Sequence, residues 1–185
     1  MKKYLLLVLL ASGVCLTTQA QSEEDVSNFL VEGNNITWQK TFVTILTEAQ
    51  MAEKVAEMML FESKDINKSD KIIGTVKPIQ HNYIKAGYSE KSAEKYVVEK
   101  DSYGALKIEF QEGKYRVTLA DIQLKQRFST RKSQRGENTR LMEFAYDAKK
   151  GVWDQNFIQS GSAKILNETF LEKFDVGGKF GGSDF

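Results

Sequence analysis

Cysteine is nearly absent from this chain, and so are histidine and proline: one of each occurs, at Cys15, His81 and Pro78. A lone histidine rules out a zinc-binding His-Glu-x-x-His helix and any site built from several histidine ligands. Thiol chemistry would rest on Cys15 alone, and that residue lies in a segment predicted to be removed. A Ser-His-Asp triad would have to pass through His81, and no Gly-x-Ser-x-Gly elbow presents a nucleophile. His81 therefore reads as a surface or strand-end residue. Calcium loops and phosphate-cradling glycine loops are also missing, so no cofactor is expected. Net charge is close to zero, with 26 basic and 25 acidic residues, and gives no global bias toward a polyanion.

Long apolar runs are scarce too. The longest stretch, from Tyr4 to Leu10, follows Met1-Lys2-Lys3 and precedes Thr18-Gln19-Ala20. It is too short to span a bilayer and has the layout of a signal peptide, predicted over residues 1–20. A lipidated Cys15 is disfavoured because Val14 stands where such sites carry a small residue. The expected product is exported, periplasmic or secreted, without a disulfide and without a transmembrane helix. It is the size of one ordinary domain.

Alternation of apolar and polar residues is what the chain does have. Leu106 to Gln111 and Lys114 to Leu124 flank Glu112-Gly113. A two-residue loop there sets Phe110 opposite Tyr115, Ile108 opposite Val117 and Leu106 opposite Leu119. Lys107, Glu109, Lys114, Arg116 and Thr118 take the other face, and a one-residue slip would turn the whole apolar set to water.

Around this hairpin the remaining elements fall in order. Residues 21–35 are polar and predicted to be flexible, and Ile36 to Phe42 alternates as a strand. Thr47-Glu48-Ala49-Gln50 matches a capping box, with Met51, Val55, Met58 and Phe61 following at helical spacing. Asp65 to Asp70 reads as a polar turn and Lys71 to Ile79 as a strand that Pro78 confines to its end or to an edge. The stretch from Gln80 to Lys95 fits a short helix or a loop, and Tyr96-Val97-Val98 begins a further strand. Met142, Phe144 and Tyr146 alternate as another. Ala163, Leu166, Phe170 and Phe174 mark a second helix, starting at Ser160 or Ser162 and ending before Gly177. The fold class expected is α+β, strand-helix-antiparallel strands-helix, in one domain over 36–176, followed by a glycine-rich tail over 177–185.

Two segments carry a family resemblance. Ile36-Thr37-Trp38-Gln39-Lys40-Thr41-Phe42, with the capped helix after it, and Gly113-Lys114-Tyr115-Arg116-Val117-Thr118-Leu119-Ala120-Asp121-Ile122 resemble the best-marked parts of a family of exported Bacteroides-type proteins. That family is described as a domain of unknown function with a TATA-box-binding-protein-like fold. The resemblance covers roughly Ile36 to Phe174 and implies a curved antiparallel sheet with helices on one face, and no activity. The basic insertion and the glycine-rich tail lie outside it.

Two surfaces remain as candidates for function. Residues 125–140 hold Lys125, Arg127, Arg131, Lys132, Arg135 and Arg140 against the single acid Glu137, which suits an exposed ribbon gripping an envelope protein or an anionic glycan. Lys125, Arg127, Arg131, Lys132 and Arg135 are its candidate ligand-binding residues. The second surface is the sheet face opposite the helices, with Lys107, Glu109, Arg116 and Thr118. Nucleic acid is not an expected partner, because export removes the chain from the genome and Phe110 and Tyr115 are needed inside. The expected role is binding without catalysis. The alternative is a small glycan hydrolase using two carboxylates roughly 5 to 10 Å apart, for which Glu109 and Asp121 are the nominees.

Overall fold

The computed structural model describes residues 26, 28–68, 71–131 and 133–176. The predicted signal peptide, the glycine-rich tail and Lys132 lie outside the described residues. The central element is the expected hairpin, formed by β6 (Lys100–Gln111) and β7 (Lys114–Gln126). Phe110 pairs with Tyr115, Ile108 with Val117 and Leu106 with Leu119. These side chains are buried on one face, while Lys107, Glu109 and Arg116 lie on the other. Thr118 shares that second face but is only 9% exposed, being covered in part by Gln39, whose amide donates to its hydroxyl at 3.1 Å.

β7 contains a bulge that the hairpin reading did not include. Tyr103 pairs with Gln123 and Ala105 with Ala120, so Gly104 alone stands opposite both Asp121 and Ile122. Asp121 takes φ of 50° there. The insertion shifts parity, so that Val117 and Leu119 before it and Ile122 and Leu124 after it are all buried. Such a bulge also bends the strand and sharpens its twist, which curves the sheet.

The other strands are β1 (Phe29–Glu32), β2 (Asn35–Val43), β3 (Phe61–Lys68), β4 (Lys71–Val76), β5 (Ile79–Gln80) and β8 (Asn138–Arg140). They join the hairpin in one antiparallel sheet of order β1-β2-β7-β6-β4-β3, with β5 added to β6 and β8 to β7. A separate two-stranded piece is formed by β9 (Tyr146–Asp147) and β10 (Val152–Trp153).

Helices α1 (Glu48–Glu57) and α5 (Ser162–Phe174) both deliver their apolar stripes, Met51 and Val55 from one and Ala163, Leu166, Phe170 and Phe174 from the other, to the core against the apolar sheet face. Trp38 lies at its centre, fully buried, with ring centroids 5.6 Å from Phe170 and 5.7 Å from Phe174. Its indole N–H donates to Asn167 Oδ1 at 2.9 Å, an oxygen that also accepts from Asn28. At the far end of α5 the Tyr115 hydroxyl donates to the carbonyl of Phe174 and accepts from the amide of Val176, closing the helix onto the hairpin. The α+β class, with a curved antiparallel sheet and helices on one face, is therefore present.

Several local expectations change. Residues 29–32, within the segment read as flexible, form β1, because Gly33-Asn34 is a two-residue turn that pairs Glu32 with Asn35 and leaves Phe29 3% exposed. The capping box at Thr47 forms as expected, but α1 ends at Glu57 and Phe61 begins β3, which also takes in most of the stretch read as a polar turn. Tyr96-Val97-Val98 is helical, in α2 (Lys95–Glu99). Val97 there drops into a small cluster with Ala86, Ala93 and Ile165, and that contact overrides the β preference of valine. Met142 and Phe144 belong to α3 (Met142–Ala145), whose burial of Leu141, Met142 and Ala145 follows helical spacing. Ahead of α5 the short α4 (Gln155–Gln159) is capped by Asp154; α5 starts at Ser162, one of the two serines expected, with Gly161 as its N-cap.

The chain leaves α1 through Met59, a non-glycine residue at φ of 47° with 76% exposure. Left-handed backbone at the end of a helix strongly favours glycine. Met59→Gly is expected to raise stability by about 0.5 to 1 kcal/mol, checked by urea denaturation.

Candidate interaction surface

β7 continues past its partner β2, and beyond the bulge it pairs with β8 instead, matching Lys125 to Asn138. Residues 127–131 and 133–137 lie between the two as a projecting ribbon. Its neck is closed by Gln126 and Glu137 (N···O 2.9 Å) and by Gly136 and Gln126 (2.9 Å). Toward the tip, the amide of Thr130 donates to the Ser133 carbonyl at 2.8 Å, that of Ser133 to the Thr130 hydroxyl and that of Arg135 to the Ser129 hydroxyl. The amide of Gln134 donates to the Glu137 carboxylate. Polarity makes this segment project, and its serine and threonine hydroxyls give it a defined shape.

The four candidate residues among those described, Lys125, Arg127, Arg131 and Arg135, divide into different roles. Arg127 is the anchor of the ribbon. Its Nε lies 3.3 Å from Asp101 Oδ1, its Nη2 donates to the Val98 carbonyl and its amide donates to the Glu99 carbonyl. Both side chains are under a fifth exposed, and the Asp101 contact is one of charge without aligned hydrogen-bond geometry. Burial pushes the Asp101 carboxyl above its usual range, opposed by Arg127 and Lys125. Lys100 strengthens the same base, its ammonium donating to the Thr139 hydroxyl at 2.8 Å and lying 5.4 Å from the Phe144 ring centre. Lys125, Arg131 and Arg135 are exposed, and among the described residues no acid forms an ion pair with them. Phe128, which the sequence reading did not single out, is 59% exposed beside them, with the Arg127 guanidinium 5.2 Å from its ring centre.

On the open sheet face a shallow depression of about 390 Å³ is lined by Thr41, Lys71, Glu109, Gln111, Lys114 and Arg116, among others. Glu109 Oε2 accepts from Arg116 Nε at 3.1 Å and Nη2 at 2.9 Å, with Lys107 Nζ at 3.2 Å. Partial burial pushes the Glu109 carboxyl up, but the bonds from Arg116 and Lys107 outweigh it and hold the group below its usual range. It is ionised at neutral pH and poorly suited to donate a proton.

Asp121 is far from it. Five residues along β7 from Arg116, the partner of Glu109, place the Asp121 backbone roughly 16 Å away at about 3.3 Å per residue. Asp121 accepts instead from Gln123 at 3.3 Å and, with its amide turned to donate, from Asn35 at 3.2 Å. The two nominated carboxylates are thus too far apart to act across one glycosidic bond. No group of three or more candidate metal ligands occurs among the described residues.

His81 is at a strand end, directly after β5, but it is buried and not at the surface, with 3% exposure. Its Nδ1 lies 2.7 Å from the Val97 carbonyl and its Nε2 2.7 Å from the Ser102 hydroxyl. A carbonyl only accepts, so Nδ1 carries the proton and the serine donates to Nε2. The spacing resembles a nucleophile and its base, yet Ser102 is fully buried within β6 between β5 and β7. No substrate reaches it, and the pair serves the interior.

Burial pushes His81 down to about 4, with the Val97 bond opposing and Arg127 adding to the shift. Between pH 6.5 and 4 the unfolded chain then binds a proton that the folded chain refuses. Stability is expected to fall by up to about 3 kcal/mol as pH drops through that window. Urea denaturation of wild type and His81→Asn across it should show a smaller slope in the variant.

No family model matches the chain, and no curated protein matches it in sequence. Among solved structures it is similar to a DUF4468 family protein from Bacteroides ovatus ATCC 8483, with a TM-score of 0.51 and 14% identity over 86% of this chain and 93% of that one. A TBP-like protein from Parabacteroides distasonis ATCC 8503 aligns with a TM-score of 0.46 and 10% identity over 80% of this chain and 96% of that one. At such identities the first likeness concerns the fold alone.

Proposed function

We propose that this chain is an exported binding module that acts without catalysis and takes an anionic partner at the β7–β8 ribbon. Export is inferred from the basic, apolar and small-residue layout of residues 1–20. No helix among the described residues is long and apolar enough to cross a membrane.

The observation that carries the reading is the contrast within the ribbon. Arg127 is fastened to Asp101 and to the backbone at its base, while Lys125, Arg131 and Arg135 project with no acid paired to them among the described residues. A rigid base with free guanidinium groups loses little freedom on binding and suits phosphate, sulfate or carboxylate groups.

The test is crosslinked affinity capture from the native envelope, comparing wild type with Arg131→Glu/Arg135→Glu. Arg127 is left unchanged because its loss would loosen the base itself. A partner recovered by the wild type and lost from the variant is the expected outcome. Equal recovery by both would remove the ribbon as the interface.

A further inference from the structure

We propose that the β7–β8 ribbon docks the protein on an anionic bilayer surface, with its arginines meeting lipid phosphates and Phe128 entering the interface. This rests on the reading of the ribbon as an anion-binding element and names the class of partner.

Charge distribution gives the approach. Residues 125–140 hold six basic residues and one acid in a chain whose total is +1, so the rest of the molecule is net acidic. An anionic surface repels that remainder and attracts the ribbon, which orients the encounter. Cations alone would serve any polyanion equally, and Phe128 favours a bilayer. A ring 59% exposed among arginines leaves water on entering a lipid interface, an apolar gain that the phosphates of a soluble polyanion do not offer. It is also held in place, because the guanidinium 5.2 Å from its centre is itself fixed to Asp101 and the Val98 carbonyl. One apolar insertion and a few cations are each weak anchors. Together they give reversible, salt-sensitive attachment.

The experiment is co-sedimentation of the protein with vesicles of phosphatidylglycerol and phosphatidylcholine, with vesicles of phosphatidylcholine alone, and with a soluble polyphosphate arm read by intrinsic fluorescence. Wild type is expected to bind the anionic vesicles and not the zwitterionic ones. Phe128→Ala should bind roughly tenfold more weakly, and Arg131→Glu/Arg135→Glu should fall to background. Unchanged melting temperatures would confirm that both variants fold. Phe128→Trp should show blue-shifted emission on anionic vesicles over the background of Trp38 and Trp153. Binding to polyphosphate but not to vesicles would overturn the bilayer proposal and leave the anionic-partner reading standing. Binding to neither would likewise overturn the bilayer proposal, and the anionic-partner reading would then stand or fall on the affinity capture. Phe128→Ala binding as tightly as wild type would overturn insertion of the ring and with it the proposal.

Discussion

Trp38→Ala is expected to remove about 4 kcal/mol of stability, enough to leave a domain of this size largely unfolded at 37 °C. The indole is fully buried and makes edge and tilted contacts with Phe170 and Phe174. Its removal opens a cavity between β2 and α5 and takes one donor from Asn167 Oδ1. Trp38→Phe divides these contributions. It retains a ring against Phe170 and loses the indole hydrogen bond, while Asn28 still donates to Asn167. An intermediate loss of about 2 kcal/mol is expected, read from urea midpoints at constant m. If Trp38→Ala shifted the midpoint by less than a third of the predicted amount, the Trp38–α5 contact would not be the main tie between sheet and helix.

The second large effect is at the bulge. A Cβ on Gly104 would stand 2.5 Å from the Ala120 carbonyl oxygen and 3.3 Å from that of Asp121. Both are backbone atoms of the paired strand, so relief requires β7 itself to move. Gly104→Ala is expected to cost about 3 kcal/mol. Gly113, in the hairpin turn, provides the comparison. It has φ of 73° and open space around its Cβ position, so Gly113→Ala meets only backbone strain and should cost about 1 kcal/mol. Thermal or urea denaturation of the two variants side by side separates steric contact from conformational preference. Near-equal losses would mean that the strands at Gly104 part easily.

Much of the fold was legible because it depends on local pattern. The pairing of Phe110 with Tyr115 followed from alternation around a two-residue loop, and the capping box at Thr47 from spacing alone. The bulge was also written in the chain: Val117 and Leu119 fall on odd positions, Ile122 and Leu124 on even ones. A strand can bury both sets on one face only by inserting a residue. Where the chain was misread, tertiary contacts had overruled local preference. Val97 is helical because a pocket lined by Ala86, Ala93 and Ile165 receives it, and Gly33-Asn34 is a turn because β2 lies ready to pair. The candidate site was legible as charge but not as architecture. Composition picked out Lys125, Arg127, Arg131, Lys132 and Arg135 together. Nothing local could show that Asp101, on the neighbouring strand, would take up Arg127, or that Phe128 would be left outside.

The partnership of Trp38 with Phe170 and Phe174 also sets an order of events during synthesis. β2 leaves the ribosome well over a hundred residues ahead of the helix that seals it, and the apolar face of the hairpin follows with its cover still unmade. Until α5 emerges, this chain can collapse but cannot close. Its closure waits on α5, and until that helix docks the unsealed apolar face is open to aggregation.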